Sequence, residues 1–179
     1  MRTSATDVAP VAGARLELLR ALGFGTQEHD SHVSFLSHLR GTRRLLVAWD
    51  ERPALCDAGL FHSVYGTEYF EPDRTPDRDD VITVIGAEAE RIAWLWCAIR
   101  RDTLDVASRS VLLRNGSATE SLTALEVRDL ATLWAADTVE QIARTAPSER
   151  AFASGLPPVL RAASEPARRA VGALAEVVG

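Results

Sequence analysis

The chain has 179 residues, 46% hydrophobic and 25% charged, with a formal net charge of −5. That length suits one domain able to bury roughly two-thirds of its unfolded surface, and the composition is that of a globular protein. The acidic balance argues against nucleic acid or an anionic membrane as a partner. All 20 basic residues are arginine, which excludes a lysine Schiff base or a P-loop lysine.

Residues 1–10, MRTSATDVAP, contain no apolar run, so no secretory signal is expected; they read as a disordered start, with residues 11–179 as a single helical domain. No stretch is long and apolar enough to span a bilayer. The spacing predicts a first helix from Val11 to Leu22, ended by Gly23. A second helix is expected over about 32–49, with an apolar stripe of Phe35, Leu39, Thr42, Leu46 and Trp49 at the 3.6-residue period. A third runs from Arg52 or Pro53, a favoured first-turn residue, to His62. Residues 68–80, EYFEPDRTPDRDD, read as an acidic, proline-bearing loop.

Helix resumes at DVITVIG, pauses at Gly86, and continues through AEAERIAWLWCAIR. Asn115-Gly116 predicts a small β-hairpin within 109–122. Thr123 and Glu126 have capping-box spacing at the start of a long helix to about Arg144. A turn-rich connection, APSERAFASGLPP, precedes a final amphipathic helix, EPARRAVGALAEVV. The expected architecture is all-α, seven or eight helices in one bundle-like domain. Cys56 and Cys97 lack a CxxC partner and read as small buried hydrophobes in a reducing, cytoplasmic setting.

Three ionisable residues fall on apolar helix faces. His38 lies one turn from Phe35 and Thr42; His62 shares a face with Leu55, Ala58 and Gly59; Asp137 follows Leu130, Leu133 and Trp134 at helical spacing. A lone inward histidine is usually a hydrogen-bonded core residue. An inward aspartate demands a partner, and three such groups on three helices fit one shared polar pocket better than three separate accidents.

The segment from His38 to Ser63, HLRGTRRLLVAWDERPALCDAGLFHS, resembles the opening of the HD-domain superfamily, and Asp137 in LWAADTVEQ matches the context of that superfamily's later aspartate. The stretch over about 29–100 is more closely similar to a family of small HD-like proteins sharing an AGLFHSVYGT motif, which supplies a fold and no established reaction. The resemblance implies an all-α HD-like domain with a metal held by histidine and aspartate. It also implies an aspartate directly after the second histidine, where this chain has Ser63. A neutral hydroxyl is a poor substitute for that ligand, so a dinuclear centre is not expected. His38, His62 and Asp137 remain as a two-histidine, one-carboxylate set suited to one Fe, Mn or Zn ion. No nucleotide cofactor is expected.

His32 is a further candidate ligand. It lies about 240° from His38 on a continuous helix, so it reaches the same ion only if it precedes the regular turns; otherwise it caps the helix start. His29 and Asp30 read as surface residues. Tyr65 and Glu68 follow His62 in an exit loop, as candidates for a hydrogen-bond donor to substrate and a base, with plain packing the alternative for Tyr65. Arg40, Arg43 and Arg44 either form a solvated face or bind a carboxylate or phosphate. Trp94, Trp96 and Trp134 read as core, with a tryptophan beside Asp137 able to wall a ligand cavity.

Three functions compete on this evidence. One is a mononuclear-metal hydrolase or oxygenase acting on a small molecule. Another is a metal-free enzyme, an isomerase, cyclase or lyase, in which His62 and Asp137 form an acid–base pair in the same pocket. The third is a non-catalytic binding or interaction protein. A small-molecule substrate is expected, without a nucleic-acid or membrane partner, and a homodimer is left open. The helices carrying His38 and His62 are expected to be adjacent and antiparallel, because few residues join them.

Overall fold

The structure is a computed structural model that describes residues 8–25, 35–116, 118–144 and 158–178. Among these, seven α-helices form an all-α fold: α1 (Val8–Ala21), α2 (Phe35–Ala48), α3 (Pro53–Phe61), α4 (Arg78–Ile85), α5 (Ala87–Ala98), α6 (Ala124–Arg144) and α7 (Glu165–Val178). The expected hairpin forms between α5 and α6, as β1 (Ser110–Leu112) and β2 (Thr119–Ser121). These pair antiparallel, with Val111 opposite Glu120.

Most boundaries follow local chemistry. Pro53 occupies the first turn of α3, where its missing N–H costs nothing, and His62 is the C-cap residue. Gly86, at φ 84°, separates α4 from α5, a backbone region an L-residue rarely enters. At the start of α6 the Thr123 hydroxyl accepts the Glu126 N–H at 3.1 Å while Glu126 accepts the Thr123 N–H at 2.7 Å, a closed capping box.

Two boundaries differ from the sequence reading. α1 starts at Val8, three residues early, because Pro10 falls in the first turn and does not interrupt a helix there. α4 starts at Arg78, inside the expected loop, with Asp79 and Asp80 in the helix's first turn, where carboxylates favour the positive end of the helix dipole. α2 is described from Phe35 onward; His29, Asp30 and His32 lie outside the described residues, as does most of the connection after α6.

α2 and α3 form a tight helical hairpin. α2 closes on Asp50, which has φ 58°: its N–H donates to the Val47 carbonyl and the Glu51 N–H to the Leu46 carbonyl. That is the two-bond C-terminal cap usually built on glycine, and aspartate is one of the few residues that tolerates the conformation. His38, in the first turn of α2, meets His62 at the end of α3, so the two helices run antiparallel as expected. They approach closely because Gly59 faces Leu46, whose Cδ1 fills the space a Cβ at position 59 would take. α5 packs on α3, α6 on α2, and α1 on α4.

The main core includes Leu39, Leu46, Leu55, Phe61, Leu95, Leu130 and Leu133. A smaller apolar cluster joins Ala131 and Ala135 of α6 to the 3-10 turn Pro158–Ala162 and to Ala167 and Val171 of α7. Among the described residues, no helix is long and apolar enough to cross a membrane.

Gly59→Val is expected to force α2 and α3 apart and destabilise the protein by about 1–3 kcal/mol, the usual range for overpacking a filled interior. A lower urea midpoint at unchanged slope would report it, whereas an unchanged midpoint would mean the close approach is not required.

Candidate metal centre

His38, His62 and Asp137 meet in the interior, at 3%, 2% and 7% exposure. His38 Nε2 lies 3.1 Å from His62 Nε2 and 3.1 Å from Asp137 Oδ1; His62 Nε2 lies 3.4 Å from the same oxygen. α2 contributes His38, α3 ends in His62, and α6 brings Asp137 across from the other side. The three positions singled out from helical spacing therefore do converge, forming a buried group able to hold a metal ion.

The tautomers follow from the groups behind each ring. His62 Nδ1 is 2.7 Å from the Gly59 carbonyl, which only accepts, so that nitrogen carries a proton. His38 Nδ1 is 2.5 Å from Glu140 Oε2, and by the same logic donates to the carboxylate. Both Nε2 lone pairs then turn toward each other and toward Asp137. Two lone pairs and a carboxylate at this spacing repel unless a cation lies among them. Either a proton on one ring or a metal ion satisfies the set.

The donor set fits a metal. Ligand atoms at about 2.1 Å from a common ion lie about 3.0–3.4 Å apart for bond angles between octahedral and tetrahedral, and the three observed separations span 3.1–3.4 Å. A second layer of acceptors on both Nδ1 atoms is the usual way a protein orients metal-binding imidazoles. The Gln141 side-chain amide also donates to Asp137 Oδ1, at 3.1 Å.

The ring protons also set the electrostatics without a metal. Burial alone lowers the His38 value, but hydrogen bonds and charges from Asp137 and Glu140 outweigh it, raising the imidazole from its ordinary 6.5 to about 9. Burial opposes ionisation of Asp137, yet hydrogen bonds from His38 and His62 hold its carboxyl far below the usual range.

Glu140 was not among the residues the sequence singled out. It lies three positions after Asp137, hence on the same face of α6, and that offset was the available signal. Gly41 of α2 makes room for it: a Cβ at position 41 would overlap the Glu140 carboxylate.

The remaining candidates have other partners. The Tyr65 hydroxyl donates to Glu90 Oε1 at 2.9 Å, within a pair that Arg78 completes at 2.6 and 2.7 Å. Burial, then the bond to Glu90, pushes the phenol well above its ordinary value. Glu68 accepts from the Arg101 side chain and backbone, each at 3.3 Å. Ser63 is buried beside His62, and its carbonyl accepts the Gly66 N–H. Of the arginine run, Arg40 and Arg44 are exposed while Arg43 approaches Asp57 at 3.6 Å. Trp96 is buried with its ring edge-on to His62, whereas Trp94 is half-buried against Arg78 and Arg91. The Cys97 thiol donates to the His62 carbonyl, and burial pushes it up to about 12.

A family model described as a domain of unknown function (DUF6817) matches residues 18–101. The match takes in His38 and His62 and stops before Asp137 and Glu140. No curated protein and no solved structure matches the chain.

A pH dependence follows for the metal-free protein. The folded value of His38 lies above its unfolded value, so the stabilisation is complete below about pH 6.5 and is lost as pH rises toward about 9. The urea midpoint of chelator-treated protein is expected to fall across that window, and His38→Asn to flatten the dependence. An unchanged slope in His38→Asn would show that another group is responsible.

Proposed function

We propose that this chain is a small-molecule enzyme that uses one metal ion held by His38, His62 and Asp137, of the hydrolase or oxygenase kind, on an HD-like helical scaffold. The observation that carries the reading is the convergence of two Nε2 atoms and one carboxylate oxygen, each ring fixed from behind by an acceptor. The resemblance of the segment from His38 to Ser63 to HD-domain proteins supports the same reading. When bound, an Fe, Mn or Zn ion would supply Lewis acidity toward water or an oxygenated substrate or, if redox-active, reactivity with dioxygen.

The chain's own residues do the rest. Glu140 orients His38 and raises the basicity of its Nε2, and the Gly59 carbonyl does the same for His62. Asp137 supplies the single negative charge among the three ligands. Ser63 replaces the carboxylate that would bridge a second ion, so the site supports one. Phe35 and Trp96 present their rings edge-on to His38 and His62 and help keep water from the donors.

A second reading rests on the direct contact of His38 with Asp137 at 3.1 Å. Without a metal, this buried ion pair has the composition of an acid–base couple, suited to isomerisation or elimination.

Elemental analysis of protein supplied anaerobically with Fe(II), Mn(II) or Zn(II) separates the two. One ion per chain is expected, lost in His62→Ala and Asp137→Asn while helical circular dichroism persists. Glu140→Gln should weaken metal affinity by about 10–100-fold, the usual cost of removing such a supporting group. Two tightly held ions would contradict the role given to Ser63, and no ion under any condition leaves the acid–base pair.

A further inference from the structure

Arg101 begins the short 3-10 turn, Arg101–Thr103, that follows α5. The β-hairpin holds this turn in place: the Arg100 N–H donates to the Leu112 carbonyl at 2.8 Å, and the Arg114 N–H to the Ala98 carbonyl at 2.7 Å. The guanidinium carbon sits 4.6 Å from the centre of the Trp96 ring, 5.1 Å from Tyr69 and 5.9 Å from Trp134. Its side chain is only 10% exposed, whereas Tyr69 is 86% exposed. A cation walled by three aromatic rings therefore lies beside the buried site, with one of those rings facing solvent.

The use of its edges sets Arg101 apart. Nε lies against Glu68 Oε2 at 3.3 Å. Nη1 lies 3.9 Å from Asp137 Oδ2, the oxygen other than the one facing the imidazoles, and that distance is too long for a hydrogen bond. Structural arginines in this chain look different. Arg78 grips Glu90 through Nε and Nη2 at 2.6 and 2.7 Å, and Arg52 grips Asp129 through the same two nitrogens. The Nη1 and Nη2 end of Arg101 donates no hydrogen bond to any described residue.

We propose that Arg101 is a substrate-binding residue of this site, and that the substrate carries an oxyanion, a carboxylate or phosphate group, received by the Nη1–Nη2 fork. The inference rests on the reading of His38, His62 and Asp137 as the reacting centre and adds the class of molecule that enters it. The aromatic rings hold the guanidinium plane and Glu68 holds the Nε edge, so the planar fork that matches carboxylate or phosphate in two parallel bonds is the part that the described residues leave without a hydrogen bond. Low exposure strengthens that attraction relative to a surface arginine. A divalent ion and Arg101 together balance Asp137, Glu140 and Glu68, so an arriving anion meets no net negative charge. The arginine run on α2 that the sequence offered for this task does not reach the site; Arg101 does.

The test uses the full chain loaded with Zn(II), titrated at constant ionic strength with sodium phosphate and separately with sodium acetate, while tryptophan fluorescence is followed. Trp96 and Trp134 flank Arg101, so a saturable change in the millimolar range is expected with at least one anion. Arg101→Gln should weaken that binding by at least tenfold, with Arg101→Lys, which keeps the charge but lacks the fork, in between. The anion with the larger dependence on Arg101 tells phosphate from carboxylate. Zn(II) stoichiometry and circular dichroism are measured on each variant, and Arg101→Lys carries the comparison if Arg101→Gln does not fold. No saturable response to either anion in the wild type, or equal affinity in the wild type and the folded variants, overturns the proposal. A wild-type chain that takes up no Zn(II) overturns the metal reading instead, and the same titrations of the metal-free chain then decide the role of Arg101 alone.

Discussion

Two imidazole nitrogens face each other at 3.1 Å in a water-excluded interior, with the opposite nitrogen of each ring already donating to an acceptor. Such a pair needs a shared cation, and much of the surrounding structure serves to hold it in place. The short α2–α3 turn, closed by Asp50 in a left-handed conformation, brings the start of one helix to the end of the next. Gly59 lets the helices approach, and its carbonyl orients His62. Gly41 performs a parallel task, leaving the space in which the Glu140 carboxylate reaches His38. Two glycines on facing helices thus act on the chemistry through the groups that orient the rings.

The distribution of buried acids separates this site from the rest of the interior. Glu51, Asp57, Glu90, Asp129, Asp137 and Glu140 are all buried. In a chain without lysine, the first four are matched by guanidinium groups: Arg128 on Glu51, Arg15 and Arg43 on Asp57, Arg78 on Glu90, and Arg52 on Asp129. A buried carboxylate costs several kcal/mol of desolvation, and a planar, always charged partner is a dependable way to offset it. Asp137 and Glu140 bring histidine into the pattern, since His38 lies 3.1 Å from Asp137 and 2.5 Å from Glu140. An imidazole can exchange its ring proton for a metal ion and a guanidinium cannot, so among the described residues these two buried acids face a cation of a different kind. Tyr65 belongs to the arginine-matched group through Glu90, which gives its hydroxyl a structural partner.

The sequence by itself determined the local structure and the direction of the key side chains. Pro53, Gly86, the Thr123–Glu126 box and the apolar stripe of α2 are short-range signals, each acting through backbone geometry or hydrogen bonds within one turn, and they place α2, α3, α5 and α6 within a few residues. The inward direction of His38, His62 and Asp137 was legible for the same reason, since the 3.6-residue period fixes which face a side chain takes. What only the tertiary structure decided is which inward groups meet. The distance between His62 and Asp137 depends on how α3, α2 and α6 cross, which is set by packing at Gly41, Gly59 and Leu46 rather than by spacing along the chain. Glu140 looked like an ordinary polar residue one turn after Asp137 until the absence of a side chain at Gly41 gave it a place. Arg101 and Glu68, 33 residues apart in sequence, were joined by the turn and hairpin that follow α5. Contacts of that range are made by the assembled fold, because no local rule of backbone geometry links such distant residues.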